Sequence, residues 1–395
     1  MLLTSGAVLD GFSQFPAWVP SWMPVLVIVW LGLYLLVFLI MNAGVARLVR
    51  STTLPDAACP TVSVVVSARN EERDLPACIA SLVALDYPHD RLQIILVDDF
   101  STDRTTLLVD EAARQHAAIS ALHSRELPDN GLEAKARGIA HGISIATGEW
   151  LFVTDADGTV HSQWLRALLS RAGPETGMVG GTLLVQNTGT LGQMERMAWG
   201  FLQTFSAGLA GWGLPIVCVG PNMGMRRALY VAAGGLERAK FRVAEDLALF
   251  GMVVRVGKRV QMYMDHETTV TLAPVPSPSH LLSQHRRWLG GGVEQNPWYK
   301  GLVLLALWWG FGVNAFVLLG WLLNWPLWLG FIIAKVAVDW STLRLQQHRL
   351  RVAQHARFIG ILEVYHIIFL SILPPIFLVN QGIEWRGEGY SVRYS

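Results

Sequence analysis

Two aspartates one residue apart stand at the end of an apolar, strand-like stretch. Asp155 and Asp157 belong to WLFVTDAD (150–157), in which the apolar run precedes the acids. When the backbone bends between them, two such carboxylates can turn toward one point. Hard divalent cations such as Mg²⁺ or Mn²⁺ prefer oxygen ligands and leave room for substrate phosphates. The alternative is a polar turn that ends at Gly158, so the pattern favours either a metal site or a turn here.

A second acidic group follows the strand-like stretch RLQIILVDD (91–99). In VDDFSTD, Asp99 and Ser101 can form an Asx turn that caps a helix beginning near Asp103. Such a turn accounts for two of the three acids, which are Asp98, Asp99 and Asp103. It leaves an aspartate that is a candidate contact for a nucleotide base or ribose. Glu71, in the polar SARNEE after the first strand-like run, is either a similar contact or a first-turn helix acid favoured by the dipole.

Glu245 and Asp246 begin the helix-like stretch EDLALFGMVVR. The helix dipole favours acids in the first turn, so capping is one explanation of the pair. A carboxylate near a metal–diphosphate site can instead remove the proton from an acceptor hydroxyl. That role requires hydrogen-bond reach to the hydroxyl before the pKa matters.

The pentapeptide QHRRW (284–288) precedes a long apolar run by about fifteen residues. Arginines beside a membrane span fix its orientation, which is one explanation of the motif. The other is that Gln284, Arg287 and Trp288 are chemical groups held at the membrane surface. In that interpretation, His285 and Arg286 serve only orientation or surface solvation.

Strand-like and helix-like stretches alternate through residues 58–295, which must position these groups. Continuous apolar strands alternating with helices predict an α/β fold with a mostly parallel sheet covered by helices on both faces. In such sheets, ligands bind outside the carboxyl ends of the strands, where the acids stand. Neither dinucleotide-binding nor P-loop glycine motifs are present in the sequence. The predicted strands are 61–68, 91–99, 119–124 and 150–157, and the predicted helices are 70–85, 103–116 and 132–146.

The composition predicts membrane segments. Of the 395 residues, 52% are hydrophobic and 15% are charged, whereas soluble domains are usually about a quarter charged. A net charge of +1 argues against a nucleic-acid partner, and the three separated cysteines argue against a disulfide framework or zinc site.

Residues 24–41 are uncharged and long enough to span a bilayer. A signal peptide is the weaker explanation, because the run is too long and no positively charged segment precedes it. Arg47 and Arg50 follow the run, so the N-terminus is predicted outside and residues 45–300 in the cytoplasm.

Apolar character returns at 302–323, 326–338 and 358–379, interrupted by the basic stretch 341–357. The 326–338 segment is short for a membrane-spanning helix, and Pro374-Pro375 breaks the segment 358–379. The number of membrane spans therefore stays open. Glu363 and His366, inside the last apolar segment, are functional candidates by position, with no role assigned. The stretch 194–213 is either an interfacial helix or a buried one. The predicted regions are an anchor at 1–45, a catalytic domain at 58–295, membrane segments at 300–380 and a tail at 381–395.

Taken in order, these motifs resemble those of the membrane-bound family-2 glycosyltransferases, in the branch of ceramide glucosyltransferase-like enzymes that glycosylate lipids or carotenoids. The resemblance covers about residues 58–295. It implies a GT-A fold, an inverting mechanism, a nucleotide-sugar donor and a Mg²⁺ or Mn²⁺ cofactor. The motifs that carry it are S-A-R-N-E-E, V-D-D-x-S-T-D, A-K-A-R-G-I-A-H-G, T-D-A-D, G-P-N-M-G-M-R-R, A-E-D and Q-H-R-R-W.

The resemblance also implies a role for each candidate residue. Both aspartates of the D-x-D pair are implied to be metal ligands. Asp155 also faces the nucleotide, whereas Asp157 faces the metal. Asp246 corresponds to the base that activates the acceptor, and Trp288 lines the acceptor site. The residues implied to contact the nucleotide sugar are Glu71, Asp98, Asp99, Lys135, Asp155, Gln284 and Arg287.

The expected function is transfer of one sugar to the hydroxyl of a hydrophobic acceptor, such as a lipid, carotenoid or polyprenol, at the cytoplasmic side of a multi-pass membrane protein. The alternatives are a processive polysaccharide synthase and a non-catalytic membrane scaffold. One departure concerns the tail, where Glu388 replaces the second base of the W-[KR]-G-R-x-Y-like motif of many lipid-glycosylating relatives. The sequence leaves the sugar, the acceptor and the oligomeric state open.

Overall fold

A seven-stranded sheet forms the centre of the fold, and its first strands are the apolar runs of the sequence. The computed structural model describes residues 15–16, 19–20, 22–239, 244–285, 297–352, 359–379, 382–385 and 388–391. The strands are β1 (Val62–Ala68), β2 (Leu92–Asp98), β3 (Ile119–His123), β4 (Trp150–Asp155), β5 (Gly158–Val160), β6 (Thr176–Gly180), β7 (Leu183–Val185), β8 (Met223–Arg226), β9 (Arg259–Met262), β10 (Val270–Leu272), β11 (Gly382–Trp385) and β12 (Glu388–Ser391).

Helices connect the strands and extend the fold toward both ends of the chain. Several begin or end where the sequence supplies a proline or a glycine, as α7 does at the left-handed Gly234. The helices are α1 (Met23–Arg47), α2 (Leu75–Val83), α3 (Thr105–Gln115), α4 (Ala134–Ser144), α5 (Trp164–Leu169), α6 (Gly189–Gly211), α7 (Arg227–Ala233), α8 (Glu245–Arg255), α9 (278–285), α10 (Pro297–Leu319), α11 (Trp325–Leu350) and α12 (Ile359–Val379).

The central sheet has the strand order β3-β2-β1-β4-β8-β6-β9. Strands β3, β2, β1 and β4 are parallel, and β8 runs antiparallel to β4 and β6. The predicted mostly parallel sheet is therefore confirmed, with β8 as the reversed strand. Strands β5, β10 and β7 form a second, three-stranded sheet beside it. In the C-terminal tail, β11 and β12 pair as an antiparallel hairpin.

Apolar side chains of the sheet pack against helices on both faces. Val64 of β1 belongs to one buried cluster, and its neighbour Val65 belongs to the other, because successive side chains of a strand point to opposite faces. Leu75 of α2 packs in the first cluster and Ile139 of α4 in the second. Helices on both faces were predicted from the alternation of segments, and this is confirmed.

Helix α6, which contains most of the stretch 194–213, packs closely against α1. A β-carbon on Gly208 would lie 2.7 Å from the backbone oxygen of Met41, and one on Gly211 would lie 1.8 Å from that of Gly44. Only glycine allows the two backbones to approach this closely. Phe38 stacks on Phe201 with ring centroids 4.7 Å apart, which continues the contact along both helices.

Helix α11 is one continuous helix of 26 residues, which joins the apolar segment 326–338 to the first part of the basic stretch 341–357. Its internal charges are paired: the Lys335 ammonium lies 2.7 Å from Asp339 Oδ2 one turn later and also contacts Glu363 of α12. The Tyr34 hydroxyl of α1 donates to Asp339 Oδ1 at 3.2 Å. Paired groups are tolerated in an apolar setting, whereas single charges are not.

Helix α12 runs through Pro374-Pro375, so the predicted break at that pair is wrong. A helix can continue through proline where neighbouring groups satisfy the freed backbone oxygens. Among the helices that the structure describes, α1 and α11 have the length and composition of a membrane-spanning helix.

Candidate functional site

The carboxyl ends of β1, β2 and β4 bring the predicted acids to one edge of the sheet. Ala68 of β1 is paired with Asp98 of β2, and Ser67 is paired with Asp155 of β4. Both aspartates therefore stand at the last step of their strands, on either side of β1. This juxtaposition follows from parallel strands of matched length and is the predicted position of the site.

The loops that follow β1 and β2 are tied to each other by hydrogen bonds. The backbone N–H of Asn70 donates to Ser101 Oγ at 3.0 Å, and the backbone N–H of Glu71 donates to Thr105 Oγ1 at 2.7 Å. Asn70 and Phe100 both have left-handed backbone conformations, with φ of 56° and 60°. For phenylalanine this conformation is uncommon and costs about 1 kcal/mol or more, and surrounding contacts must hold it. Glu71 is thereby fixed at the same edge as Asp98 and Asp155.

Asp98 organises the turn after β2. Its Oδ1 accepts a hydrogen bond from the backbone N–H of Ser101 at 3.1 Å, and its Oδ2 accepts one from Thr106 Oγ1 at 2.9 Å. The carboxylate is buried, and His123 Nδ1 lies 3.6 Å from Oδ2. In the turn after β2 it is thus Asp98 that accepts from the backbone, three residues on, whereas Asp99 pairs with Arg137. The prediction that Asp98 contacts the nucleotide stays a prediction.

Asp99 is buried in a two-point ion pair with Arg137 of α4. Arg137 Nε lies 2.8 Å from Oδ1 and one terminal nitrogen lies 3.0 Å from Oδ2, which is the parallel geometry of a strong guanidinium–carboxylate pair. The guanidinium also covers the ring of Phe100, 4.5 Å from its centroid. Sequence reasoning missed Arg137, although it stands two residues after Lys135 in the A-K-A-R motif. Contact of Asp99 with a nucleotide also stays a prediction.

Helix α4 carries these basic groups close to the sheet edge because it contains glycine where it crosses β1. A β-carbon on Gly138 would lie 2.1 Å from Ser67 Oγ, so a larger residue would push the helix away. At the start of α4, Lys135 Nζ lies 2.5 Å from Asp155 Oδ1 and 3.1 Å from Glu245 Oε1. Burial lowers the pKa of Lys135, but these two carboxylates outweigh it and raise the pKa overall. Lys135 therefore stays charged and joins the D-x-D strand to α8.

Asp246 stands next to this lysine bridge at the start of α8. Its Oδ2 accepts from the backbone N–H of Gly220 at 3.1 Å, and its Oδ1 accepts from that of Leu247 at 2.8 Å. Burial, and then the charge of Glu245, raise the pKa of Asp246 to about 6, against the lowering effect of Lys135 and the two backbone donors. A carboxylate with this pKa is a stronger base than an ordinary aspartate and is still ionised at neutral pH.

The thiol of Cys78 is buried, and its sulfur donates to the backbone oxygen of Asp155 at 3.5 Å. Burial raises the pKa of this thiol, and the negative charges of Asp157, Asp155 and Glu71 raise it further, in that order. The three carboxylates therefore add negative charge to the same edge of the sheet. Their oxygen donor set suits Mg²⁺ or Mn²⁺, and the excess of acids over the Lys135 ammonium favours a divalent cation. The chemistry of these donors thus fits a divalent metal ion, and the assignment of Asp155 and Asp157 as its ligands stays a prediction.

The structure describes only the first part of QHRRW. Gln284, in α9, is partly buried, and its Oε1 has no hydrogen-bond partner among the described residues. Arg287 and Trp288 lie outside the described residues, so their predicted roles stay predictions. His285 was expected to serve orientation or surface solvation, and this is wrong: its ring is buried and bonded to Tyr365 of α12.

Comparison with known proteins identifies the domain that carries the site. Residues 63–232 match the family model described as "Glycosyl transferase family 2". A probable glycosyltransferase of Bacillus subtilis, YdaM, is 36% identical over 100 residues, which are 25% of this chain and 23% of that protein. A beta-monoglucosyldiacylglycerol synthase of Synechocystis sp. is 31% identical over 110 residues, which are 28% of this chain and 22% of that protein. The chain thus spans less than a quarter of the length of these curated relatives.

A solved structure resembles the chain over nearly its whole length. It is a mannosyltransferase from Pyrobaculum calidifontis, in complex with GDP-Man and Mn²⁺, with a TM-score of 0.55 and 17% identity. The likeness covers 89% of this chain and 98% of that one, and at this identity it shows a common fold. The family match covers residues 63–232, which contain the D-x-D strand but neither Asp246 nor Gln284.

Proposed function

We propose that the protein is an inverting glycosyltransferase that moves one sugar from a nucleotide sugar to the hydroxyl of a hydrophobic membrane acceptor. The observation that carries the proposal is the Lys135 bridge, 2.5 Å from Asp155 and 3.1 Å from Glu245. It holds the D-x-D strand of a family-2 domain beside Asp246. One edge of the sheet thus combines the proposed metal ligands, Asp155 and Asp157, with a carboxylate suited to act as a base.

Asp246 is proposed to take the proton of the acceptor hydroxyl. The hydroxyl oxygen then forms its bond to the anomeric carbon, while the bond from that carbon to the diphosphate oxygen breaks and its electron pair leaves with the diphosphate. A single displacement from the opposite face inverts the anomeric centre and needs no covalent nucleophile on the protein. The backbone N–H groups of Gly220 and Leu247 orient the carboxylate for this transfer.

The chain's cationic and polar groups are proposed to bind the donor. Gln284 and Arg287 would hold the diphosphate, where a guanidinium matches phosphate oxygens and balances the charge that develops on the leaving group. Asp155 and Asp157 would hold the divalent cation, which supplies further positive charge to the diphosphate when bound. The mannosyltransferase of similar fold supports this donor class, since its structure is in complex with GDP-Man and Mn²⁺.

A lipid acceptor is favoured over a soluble one by two observations. The Synechocystis relative is named as a glucosyldiacylglycerol synthase. In addition, α6 of the catalytic region packs directly on α1, which has the length and composition of a membrane span. We infer that the catalytic domain faces the cytoplasm and takes its acceptor from the adjoining leaflet, with Arg47 and Arg50 on the cytoplasmic side of α1.

The test is a transfer assay with full-length protein in lipid nanodiscs and Mn²⁺. UDP-glucose, UDP-galactose, UDP-N-acetylglucosamine and GDP-mannose are each offered with diacylglycerol, ceramide, a hydroxylated carotenoid or a polyprenol. The expected product is an acceptor whose mass has increased by one sugar, with inverted anomeric configuration by NMR. The Asp246→Asn variant serves as the inactive control.

Other products would decide against parts of the proposal. A ladder of masses would identify a processive polysaccharide synthase. Retained anomeric configuration would exclude single displacement. Absence of transfer from every donor, with nucleotide binding also absent, would favour the scaffold.

A further inference from the structure

The helix that carries Gln284 is fixed to the apolar helix α12 by a buried histidine. His285 follows Gln284 directly, and its side chain is only 6% exposed. Its Nδ1 lies 2.8 Å from the backbone oxygen of Leu281, one turn earlier in α9. Its Nε2 is hydrogen-bonded to the hydroxyl of Tyr365, which lies on α12 and is 5% exposed.

The donor and acceptor of each bond follow from the chemistry of the groups. A backbone carbonyl only accepts, so Nδ1 must carry the hydrogen that it donates to Leu281. The neutral ring then has a lone pair on Nε2, and the Tyr365 hydroxyl donates to it. Burial lowers the pKa of His285 to about 4, so the ring is neutral and this pattern holds at physiological pH. The connection between α9 and α12 is therefore a directed chain of two hydrogen bonds.

Apolar contacts and a second hydrogen bond fix the same region. Leu281 is fully buried and belongs to the cluster that also contains Phe201 of α6 and Leu362 of α12. The connector that leads into α9 is held by Glu195 of α6, whose Oε2 accepts from the backbone N–H of Val275 at 2.8 Å. The connector that leads into α9 is thus held by α6, and the turn of α9 that contains His285 is held by α12.

We propose that His285 and Tyr365 are positioning residues for donor binding. In this proposal, α12 contributes to the nucleotide-sugar site by fixing the orientation of α9. The inference rests on the proposed function, in which Gln284 binds the diphosphate. Successive helical residues point about 100° apart, so a bond from position 285 to a fixed helix sets the direction of the side chain at position 284. Misplacement of a binding group by about 1 Å is enough to weaken catalysis strongly.

The test compares Tyr365→Phe, His285→Asn and His285→Gln in full-length protein. Tyr365→Phe removes the donor hydroxyl, and the short amide of asparagine does not reach it. Both variants are expected to raise KM for the nucleotide sugar about tenfold, the effect of losing one good hydrogen bond, with a smaller change in kcat. Glutamine places an acceptor oxygen near the position of Nε2, so His285→Gln should recover most of the affinity.

Tyr34→Phe is a matched control. Tyr34 is also a buried tyrosine of a membrane helix, 7% exposed, and its hydroxyl donates to Asp339 Oδ1 at 3.2 Å. The same atom is lost, but the bond to α9 remains. Tyr34→Phe should lower the melting temperature as Tyr365→Phe does, and it should leave KM for the donor unchanged.

A binding measurement separates this inference from the proposed function. The affinity for UDP and for GDP in the presence of Mn²⁺ is measured by calorimetry, whether or not sugar transfer is detected. A tenfold loss in Tyr365→Phe and His285→Asn, absent in Tyr34→Phe, supports the inference even if no acceptor is glycosylated. Equal affinities or equal KM values in Tyr365→Phe and Tyr34→Phe would overturn it. A wild-type protein that binds neither nucleotide would overturn both proposals.

Discussion

The raised pKa of Asp246 predicts a specific pH dependence of sugar transfer. Its rise from the ordinary value of 3.8 to about 6 corresponds to about 3 kcal/mol in favour of the neutral carboxyl. A base acts only when it is ionised, so kcat/KM should fall as the pH drops below about 6 and should be level above it. Asp246→Asn, which keeps the size but cannot accept the proton, should reduce kcat by at least about a hundredfold.

The two charged neighbours of Asp246 predict the direction in which the pH profile shifts when each of them is replaced. Glu245 raises the pKa of Asp246 by charge repulsion, and Lys135 lowers it. In Glu245→Gln the acidic limb should therefore move to lower pH, by at least about half a unit for charges at this spacing. In Lys135→Met it should move to higher pH. Glu175→Gln is the control, because Glu175 is 80% exposed and pairs with Lys258 at 3.0 Å, on a different part of the surface.

The assay is the initial rate of transfer from pH 5 to 8.5 at low donor concentration and saturating Mn²⁺. Under these conditions the limb reports the free enzyme. The reasoning is refuted if the limb stays in place in both Glu245→Gln and Lys135→Met, or if both variants shift it in one direction. Substantial transfer by Asp246→Asn would remove that residue from the role of base.

Four further outcomes are expected. Asp157→Asn should reduce Mn²⁺-stimulated transfer about a hundredfold or more and weaken Mn²⁺ binding by calorimetry. Arg137→Leu should lower the free energy of unfolding by about 3 kcal/mol or more in denaturant titration, because it leaves Asp99 buried without its partner. Burial raises the pKa of Glu195 to about 7, so folding stability should fall as the pH rises from about 4.5 to 7, and Glu195→Gln should remove this fall in melting experiments. Gly208→Leu should cost about 2 kcal/mol or more of stability by forcing the backbones of α1 and α6 apart.

The parallel strands and the acids at their ends could be predicted from the sequence. Buried strands such as β1 and β4 are apolar without interruption, and polar residues at their carboxyl ends mark where the chain leaves the core. Their observed bounds differ from the predicted ones by only one or two residues. Parallel pairing then requires that these ends share an edge of the sheet. The placement of Asp98 and Asp155 at that edge therefore follows from local patterns.

Features that depend on distant partners could not be predicted in this way. Lys335 and Asp339 make the middle of α11 look unsuitable for an apolar helix until their mutual ion pair is known. His285 looked like a solvated member of a basic pentapeptide because its partner, Tyr365, is 80 positions away. Such pairs leave no local periodicity, and a single sequence does not reveal which residues satisfy each other.

The glycine contact between α1 and α6 changes what removal of the N-terminal helix would mean. A membrane anchor is commonly treated as a flexible tether whose removal releases a soluble domain. Here the backbones of the two helices touch at Gly44, Gly208 and Gly211, and Phe201 loses its stacking partner if α1 is absent. Truncation at residue 48 would therefore remove a helix that packs against α6 and expose the apolar face of α6. A soluble version would need that face redesigned.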